Sequence, residues 1–380
     1  MKNLKIEFGF IFFSLLSFGQ NLNSNTTSSF IYTPENPLNT KTVEVFYHIP
    51  EGDITVMPIV MSFHGANRNA SDYRDYWINM ANVNEFMVFA PEFSDSNYPG
   101  GDKYQLANIF DDGDNPSLGT LNNQNEWTFS FIDSLFEYIK ADISGTQETY
   151  KAWGHSGGAQ FLHRFVMYMP NSKLEIAVCS NAGWYTVPEN TVNFPYGIKN
   201  GQLSNTTLPD AFAKKLIIHL GQDDTNQNSA GLRHNSIVDN QQGLNRYLRG
   251  QYFFDTSQST SQTMSVPFNW EKQEVSGVSH NAQQMANDAL QYVFINSLSN
   301  SNSIENKFIK VYPNPVNNIL CFNNERLKAK RVKIYSVFGA LVSSFNFNSF
   351  QAEQEIDVAQ LNTGIYFFKL NERLFKVVKK

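Results

Sequence analysis

The sequence predicts an α/β domain on a mainly parallel sheet with helices on both faces, followed by a small all-β C-terminal sandwich. Three observations carry this. Short apolar runs alternate with helix-spaced segments from Val43 to Leu298. A glycine-serine-glycine cluster, Gly154-His155-Ser156-Gly157-Gly158, falls at one strand-to-helix junction. Beyond an Asn/Ser-rich stretch starting at Asn296, only short strand-like segments remain.

Taken in order, Lys2 and Lys5 precede the apolar run Phe8 to Phe18, with small residues near Gly19. This is the pattern of a signal peptide over residues 1–19, too short an apolar run to span a bilayer. No other run approaches membrane length, so no membrane span is expected in the mature protein. Asn21 to Ser29 reads as a loose polar lead-in, and the main domain is expected over residues 25–298. Val43–Ile49, Ile59–Phe63 and Phe86–Ala90 read as strands, with a helix from Ser71 to about Asn82. Glu92–Gln124 is a long polar loop, a length usually reserved for functional segments. Phe129–Ala141 is helical, Tyr150–Trp153 a strand, and Gly158–Met169 a helix stopped by Pro170. Ile176–Ser180 and Leu216–Leu220 are strands, Gln241–Gly250 a helix, Trp270–Val275 a strand and Ala282–Leu298 the last helix. Residues 299–307 form the linker and 308–380 the all-β module. Its strands are expected at Val332–Tyr335, Leu341–Phe345, Glu355–Val358, Ile365–Leu370 and Phe375–Val378.

The 380 residues carry a formal net charge of −6 and no basic block, which argues against a nucleic-acid partner. The two cysteines, Cys179 and Cys321, fall in different domains and are expected to be buried free thiols.

The chemistry centres on Ser156. Its surroundings fit G-x-S-x-G, for which average composition gives roughly 0.1 chance matches in such a chain. Small residues are needed because the serine sits on a sharp turn with strand and helix pressed behind it. The following helix N-terminus aims N–H groups at a developing oxyanion. A serine nucleophile needs a base. Of the seven histidines, His280 lies in a loop between the last strand and the last helix, where the base is expected. His234 is the runner-up. His48 and His219 sit within strands, His163 on the elbow helix, and His155 inside the elbow, where its side chain cannot reach back. Asp223 and Asp224 both follow a strand end, and either could orient the histidine. His64-Gly65-Ala66-Asn67-Arg68 follows an apolar strand, so Gly65 or Ala66 is expected to supply an oxyanion-hole N–H beside that of Gly157. Asn67, Arg68, Trp184 and Tyr185 are candidate substrate contacts. Asp111, Asp112 and Asp114 lack the spacing of a calcium loop, and no metal or other cofactor is expected.

Residues from about Lys41 to Leu298 resemble the α/β-hydrolase superfamily, nearest to esterases of the polyhydroxybutyrate depolymerase and feruloyl esterase kind. The His-Gly strand end and the G-x-S-x-G-G elbow carry this likeness. Leu220-Gly221-Gln222-Asp223-Asp224-Thr225, Gln242-Gly243-Leu244-Asn245-Arg246 and Gly277-Val278-Ser279-His280 are similar to bacterial hydrolases in which the aspartate before the threonine is the acid. The resemblance thus implies Asp224. Ala66 stands where true polyhydroxybutyrate depolymerases often have cysteine. The C-terminal residues resemble the type A sorting domain of the type IX secretion system, through Val311-Tyr312-Pro313-Asn314-Pro315, Tyr335–Gly339, Leu361-Asn362-Thr363-Gly364-Ile365-Tyr366 and Lys376-Val377-Val378-Lys379. That implies the type IX machinery as partner and a secreted or cell-surface location. The expected activity is serine hydrolysis of a carboxylic ester of a polysaccharide, a polyester or a small molecule. A serine peptidase, or an inactive surface-adhesion protein on the same fold, are the alternatives.

Overall fold

The computed structural model describes residues 21–203, 207–293, 311–323, 331–337, 339–347, 353–370 and 373–380. The expected signal peptide and linker lie outside the described residues. The chain opens with strands β1 (Thr26–Tyr32), β2 (Val43–Ile49) and β3 (Ile59–Phe63). Helices α1 (Ala70–Asp75) and α2 (Ile78–Asn84) lead to β4 (Met87–Glu92). After α3 (Gly100–Lys103) and α4 (Ile132–Asp142) come β5 (Tyr150–His155), α5 (Gly157–Tyr168) and β6 (Leu174–Ser180). Then follow α6 (Leu208–Ala213), β7 (Lys215–Gly221), α7 (Ser236–Gln242), α8 (Arg246–Met264), β8 (Trp270–Val275) and α9 (Ala282–Val293).

The eight strands form one sheet in the order β1-β2-β4-β3-β5-β6-β7-β8. The pairs β1/β2 and β2/β4 are antiparallel, and every later pair is parallel. Alternation along the strands divides the core in two. Ile59, Met61 and Phe63 of β3 and Leu216, Ile218 and Leu220 of β7 pack with α4, α5 and α8. Val60 and Ile217, their neighbours in sequence, pack on the opposite face with Trp77, Met285, Ala286 and Ala289. Burial on both faces explains why these strands read as continuous apolar runs.

Several boundaries differ from expectation. The supposed lead-in contains the polar first half of β1, an edge strand laddered to β2 whose second half buries Phe30 and Tyr32 in the core. The helix expected from Ser71 divides at Tyr76–Trp77 into α1 and α2. The single helix expected over Gln241–Gly250 is two. α7 stops at Gly243, whose φ of 97° leaves the helical region, and the Asn245 side chain caps α8 by accepting from Leu248 N–H. Cys179 is buried as expected, whereas Cys321 is only partly so.

The C-terminal module adds β9 (Val311–Tyr312) and β10 (Ile319–Asn323) to the expected strands β11 (Arg331–Ser336), β12 (Leu341–Asn346), β13 (Glu353–Asp357), β14 (Gly364–Leu370) and β15 (Arg373–Lys379). They form sheets ordered β13-β10-β9 and β12-β11-β14-β15. Leu320, Phe322 and Ile356 of one meet Val332, Ile334, Phe368 and Val377 of the other in a separate core. The module touches the main domain at the end of α2. Lys333 Nζ lies 2.7 Å from Glu85, and the Tyr335 hydroxyl donates to Val83 O at 3.0 Å.

Candidate active site

Strand β5 runs straight into Ser156, whose φ of 56° and ψ of −115° are strained for a residue with a Cβ. The turn holds because the flanking glycines let the chain close on itself. A Cβ on Gly158 would lie 2.0 Å from Phe63 O, and one on Gly154 would lie 2.5 Å from Gly158 O. Ser156 N–H donates to Ser180 O at 2.9 Å, and α5 begins at Gly157. Ser156 is thereby presented at the carboxyl end of the sheet, above a helix N-terminus.

Two neighbouring strand ends supply the other groups. Asp224 closes a turn after β7 through its N–H to Gly221 O. His280 lies between β8 and α9. The two loops are pressed together: a Cβ on Gly221 would lie 2.5 Å from Val278 O. Asn181, at the end of β6, ties both down. Its amide donates to Ser279 O at 3.0 Å, and its carbonyl accepts from Gly221 N–H at 2.7 Å. The result is a 2.7 Å contact between His280 Nδ1 and Asp224 Oδ2. Asp224 is buried and has Arg246 3.5 Å from its other oxygen, whereas Asp223 is exposed. Neither Asn181 nor Arg246 stood out in the sequence as part of the site. An asparagine just past a strand end is common, and only the fold shows which loops it joins.

Gly65 stands beside the serine, with its Cβ position 3.6 Å from Ser156 Cβ and 2.8 Å from the Tyr73 hydroxyl. Ala66 N lies 3.2 Å from the Cβ position of Gly157, which brings this loop against the start of α5. His64 beneath them is structural. Its Nε2 accepts from Phe93 N–H at 2.9 Å, which leaves the proton on Nδ1 for Gly65 O at 2.8 Å. Burial, only partly opposed by that bond, pushes the imidazole down to about 3.

Comparison with solved structures gives a poly(aspartic acid) hydrolase from Sphingomonas sp. KT-1, at 30% identity and a TM-score of 0.67. The match covers 71% of this chain and 99% of that one. This chain belongs to the α/β-hydrolase family. A poly(3-hydroxybutyrate) depolymerase from Bordetella parapertussis is also similar to the hydrolase, at 26% identity and a TM-score of 0.66, over 72% of this chain and 90% of that one. No curated protein matches by sequence. Residues 310–380 match the secretion-system C-terminal sorting domain. The hydrolase is therefore a type IX secretion substrate, delivered to the cell surface or the extracellular space.

The remaining candidates are distributed unevenly around the hydrolase site. Ala66 and Asn67 are exposed on its rim. Arg68 is not free to meet substrate. Its guanidinium donates to Phe93 O, Tyr98 O and Gly100 O, pairs with Asp95 at 3.2 Å and lies over the Tyr104 ring, clamping the following loop. Trp184 and Tyr185, expected on the cleft wall, are buried. Tyr185 stacks on Phe253 at 4.4 Å, and Trp184 lies under the guanidinium groups of Arg164 and Arg233. His234 is held by Asp239 and Gln227 O, and His163 by Ala159 O and Thr186 N–H. His155 lies closer to the site than expected, its ring centroid 4.4 Å from that of His280, and its Nδ1 bonds the Tyr73 hydroxyl. Burial, reinforced by His280, holds it well below the usual histidine range. Asp111 and Asp114 pair with Lys103 and Arg233, and no cluster of three or more metal-ligating side chains occurs among the described residues.

Proposed function

We propose that the hydrolase cleaves carboxylic esters by a serine acyl-enzyme mechanism, with Ser156 as nucleophile, His280 as base and Asp224 as the acid that orients it. The 2.7 Å His280–Asp224 pair, beside a serine held at positive φ, is the observation that carries this reading. Ser156 Oγ attacks the carbonyl carbon while its proton passes to His280 Nε2. Asp224, fixed on Nδ1, holds the tautomer and stabilises the imidazolium. The oxyanion is met by the N–H groups of Gly157 and Ala66. Gly65 is less suited, because its amide faces the Tyr73 hydroxyl, an interaction that partly offsets the upward push of burial on that phenol. Collapse breaks the bond to the alcohol, which leaves with the His280 proton. Water, deprotonated by His280, then releases the acid and restores Ser156.

Export by the sorting tail, and the polymer substrates named for the two similar hydrolases, favour a polymeric extracellular substrate over a small one, and the polyester named for the second favours an ester. A second reading, hydrolysis of an amide-linked polymer, is favoured by the likeness to a poly(aspartic acid) hydrolase. An activity-based fluorophosphonate should label the wild-type protein once, at Ser156, and abolish hydrolysis of a chromogenic short-chain ester. Labelling elsewhere, or full activity after labelling, overturns the mechanism. Screening polyesters, acylated polysaccharides and poly(aspartic acid) separates the substrate readings.

A further inference from the structure

The loop after α3 brings a side-chain amide beside Gly157. A Cβ placed on Gly157 would lie 2.9 Å from Gln105 Nε2 and 3.2 Å from Ala66 N. One point beside Gly157 is thus within reach of both a backbone and a side-chain N–H donor. The other end of the amide faces away: Gln105 Oε1 is 3.2 Å from the Cβ position of Gly101 and is buried with no hydrogen-bond partner among the described residues. A carbonyl left unsatisfied in this way carries a cost that stability alone does not explain.

The loop is built to hold that residue still. The Tyr104 hydroxyl donates to His64 O at 2.7 Å, tying the loop to the oxyanion strand end. Arg68 donates to Gly100 O at 2.8 Å, and the buried Arg164 donates to Gln105 O at 3.3 Å. Leu106 N–H and Ala107 N–H return to Gly101 O and Tyr104 O. Ala107 and Asn108 both take positive φ, 54° and 56°, a strained pair persisting only where the surroundings impose it. Arg68 therefore serves the site indirectly, through this loop.

We propose that Gln105 is a third donor of the oxyanion hole, its side-chain amide meeting the oxygen that develops on the scissile carbonyl beside the N–H groups of Gly157 and Ala66. This rests on the serine mechanism above. The contact strengthens as negative charge builds, so it acts on turnover rather than on substrate binding.

Gln105→Leu removes the donor, and Gln105→Glu keeps the shape but replaces the donor with an acceptor. Both should lower kcat on a chromogenic ester roughly a hundred-fold, the scale for one oxyanion donor, with KM within about threefold of wild type. Gln105→Asn retains the amide but withdraws it by about 1.5 Å and should fall between. Melting curves show which variants fold, and Gln105→Glu, closest in volume, decides the matter if Gln105→Leu does not. A kcat within about threefold of wild type in folded Gln105→Glu, or a change confined to KM, overturns the proposal. So does faster turnover in Gln105→Leu, which would mark the side chain as a plug in the hole. Fluorophosphonate labelling separates the two levels. If wild type is not labelled at Ser156, the mechanism falls and this role with it. If it is labelled and the variants turn over normally, only the role of Gln105 falls.

Discussion

Two His–Asp pairs are set against each other here, His280–Asp224, which we assign to Ser156, and His219–Asp288, which bonds Ser180, and they differ in what surrounds them. In one, His280 pairs with the buried Asp224, with 29% of the imidazole side chain exposed. In the other, Ser180 Oγ lies 2.7 Å from His219 Nδ1, and His219 Nε2 lies 2.9 Å from Asp288. That second chain is closed at its serine and histidine. Ser180 and His219 are fully buried, and Trp153 Nε1 donates to Ser180 Oγ at 2.8 Å. The indole can only donate, so it leaves the serine proton for His219 and the remaining imidazole proton for Asp288. The serine and histidine are satisfied and closed off from solvent, and only Asp288, with 26% of its side chain exposed, reaches the surface. Ser180 also sits in a regular strand, with no helix N-terminus behind it. Three residue types in hydrogen-bonded order do not make a hydrolytic site. What sets Ser156 apart is its positive φ and the helix that begins directly after it.

The strongest way to break this contrast is to delete each serine. Ser156→Ala should cut turnover on the order of a million-fold, the loss expected for a triad nucleophile, without lowering the melting temperature. Ser180→Ala should do the reverse. It strands the Trp153 N–H and His219 Nδ1, costing about 1–3 kcal/mol in denaturant unfolding, with turnover near wild type. If Ser180→Ala is the inactive variant, the two chains have been assigned the wrong way round.

The aspartates give the next largest effect. Asp224→Asn should lower kcat roughly ten-thousand-fold, because an amide no longer imposes the tautomer that His280 needs. The exposed Asp223→Asn should cost about tenfold or less, and Asp288→Asn should appear in stability rather than in kinetics. Steady-state rates for the three variants on one ester decide it.

Acid stability sharpens the contrast further. His219 is depressed below its ordinary value by burial, against the pull of Asp288, so the native state binds fewer protons there than the unfolded chain. Its stabilising contribution is complete above about pH 6.5 and is lost as pH falls toward the depressed native value. Each such histidine adds up to about 1.4 kcal/mol per pH unit to the slope. The loss of melting temperature between about pH 8 and 5 should therefore be smaller in His219→Gln than in wild type. An unchanged loss removes His219 from the cause.

The smallest effect on turnover belongs to the tail. A chain ending at residue 298 should keep its ester kinetics within about twofold, since separate cores fold separately, yet fail to reach the cell surface. The Glu85–Lys333 contact should show only as a modest change in melting. A truncated enzyme with strongly altered kinetics would mean that the tail supports the site.

Much of this was legible because the chemistry leaves local marks. The Ser156 elbow reads from sequence since only glycine tolerates a Cβ position 2.0 Å from a carbonyl. Parallel strands show as apolar runs because both faces are covered. The edge strand β1 was missed because only its second half, Phe30 to Tyr32, is apolar and its first half is polar, and the α7/α8 break because Gly243 and the Asn245 cap have only one residue between them inside a helix-spaced run.

The α/β class with its all-β C-terminal module and the sorting tail were determined by sequence alone, since each rests on neighbours in sequence or on residue type. Only the tertiary structure decided which aspartate turns inward, that Arg68 clamps a loop, that Trp184 and Tyr185 are buried, and that Gln105 reaches Gly157. Those depend on where one loop rests against another, far apart along the chain, and side-chain direction past a strand end is set by that packing and not by local periodicity.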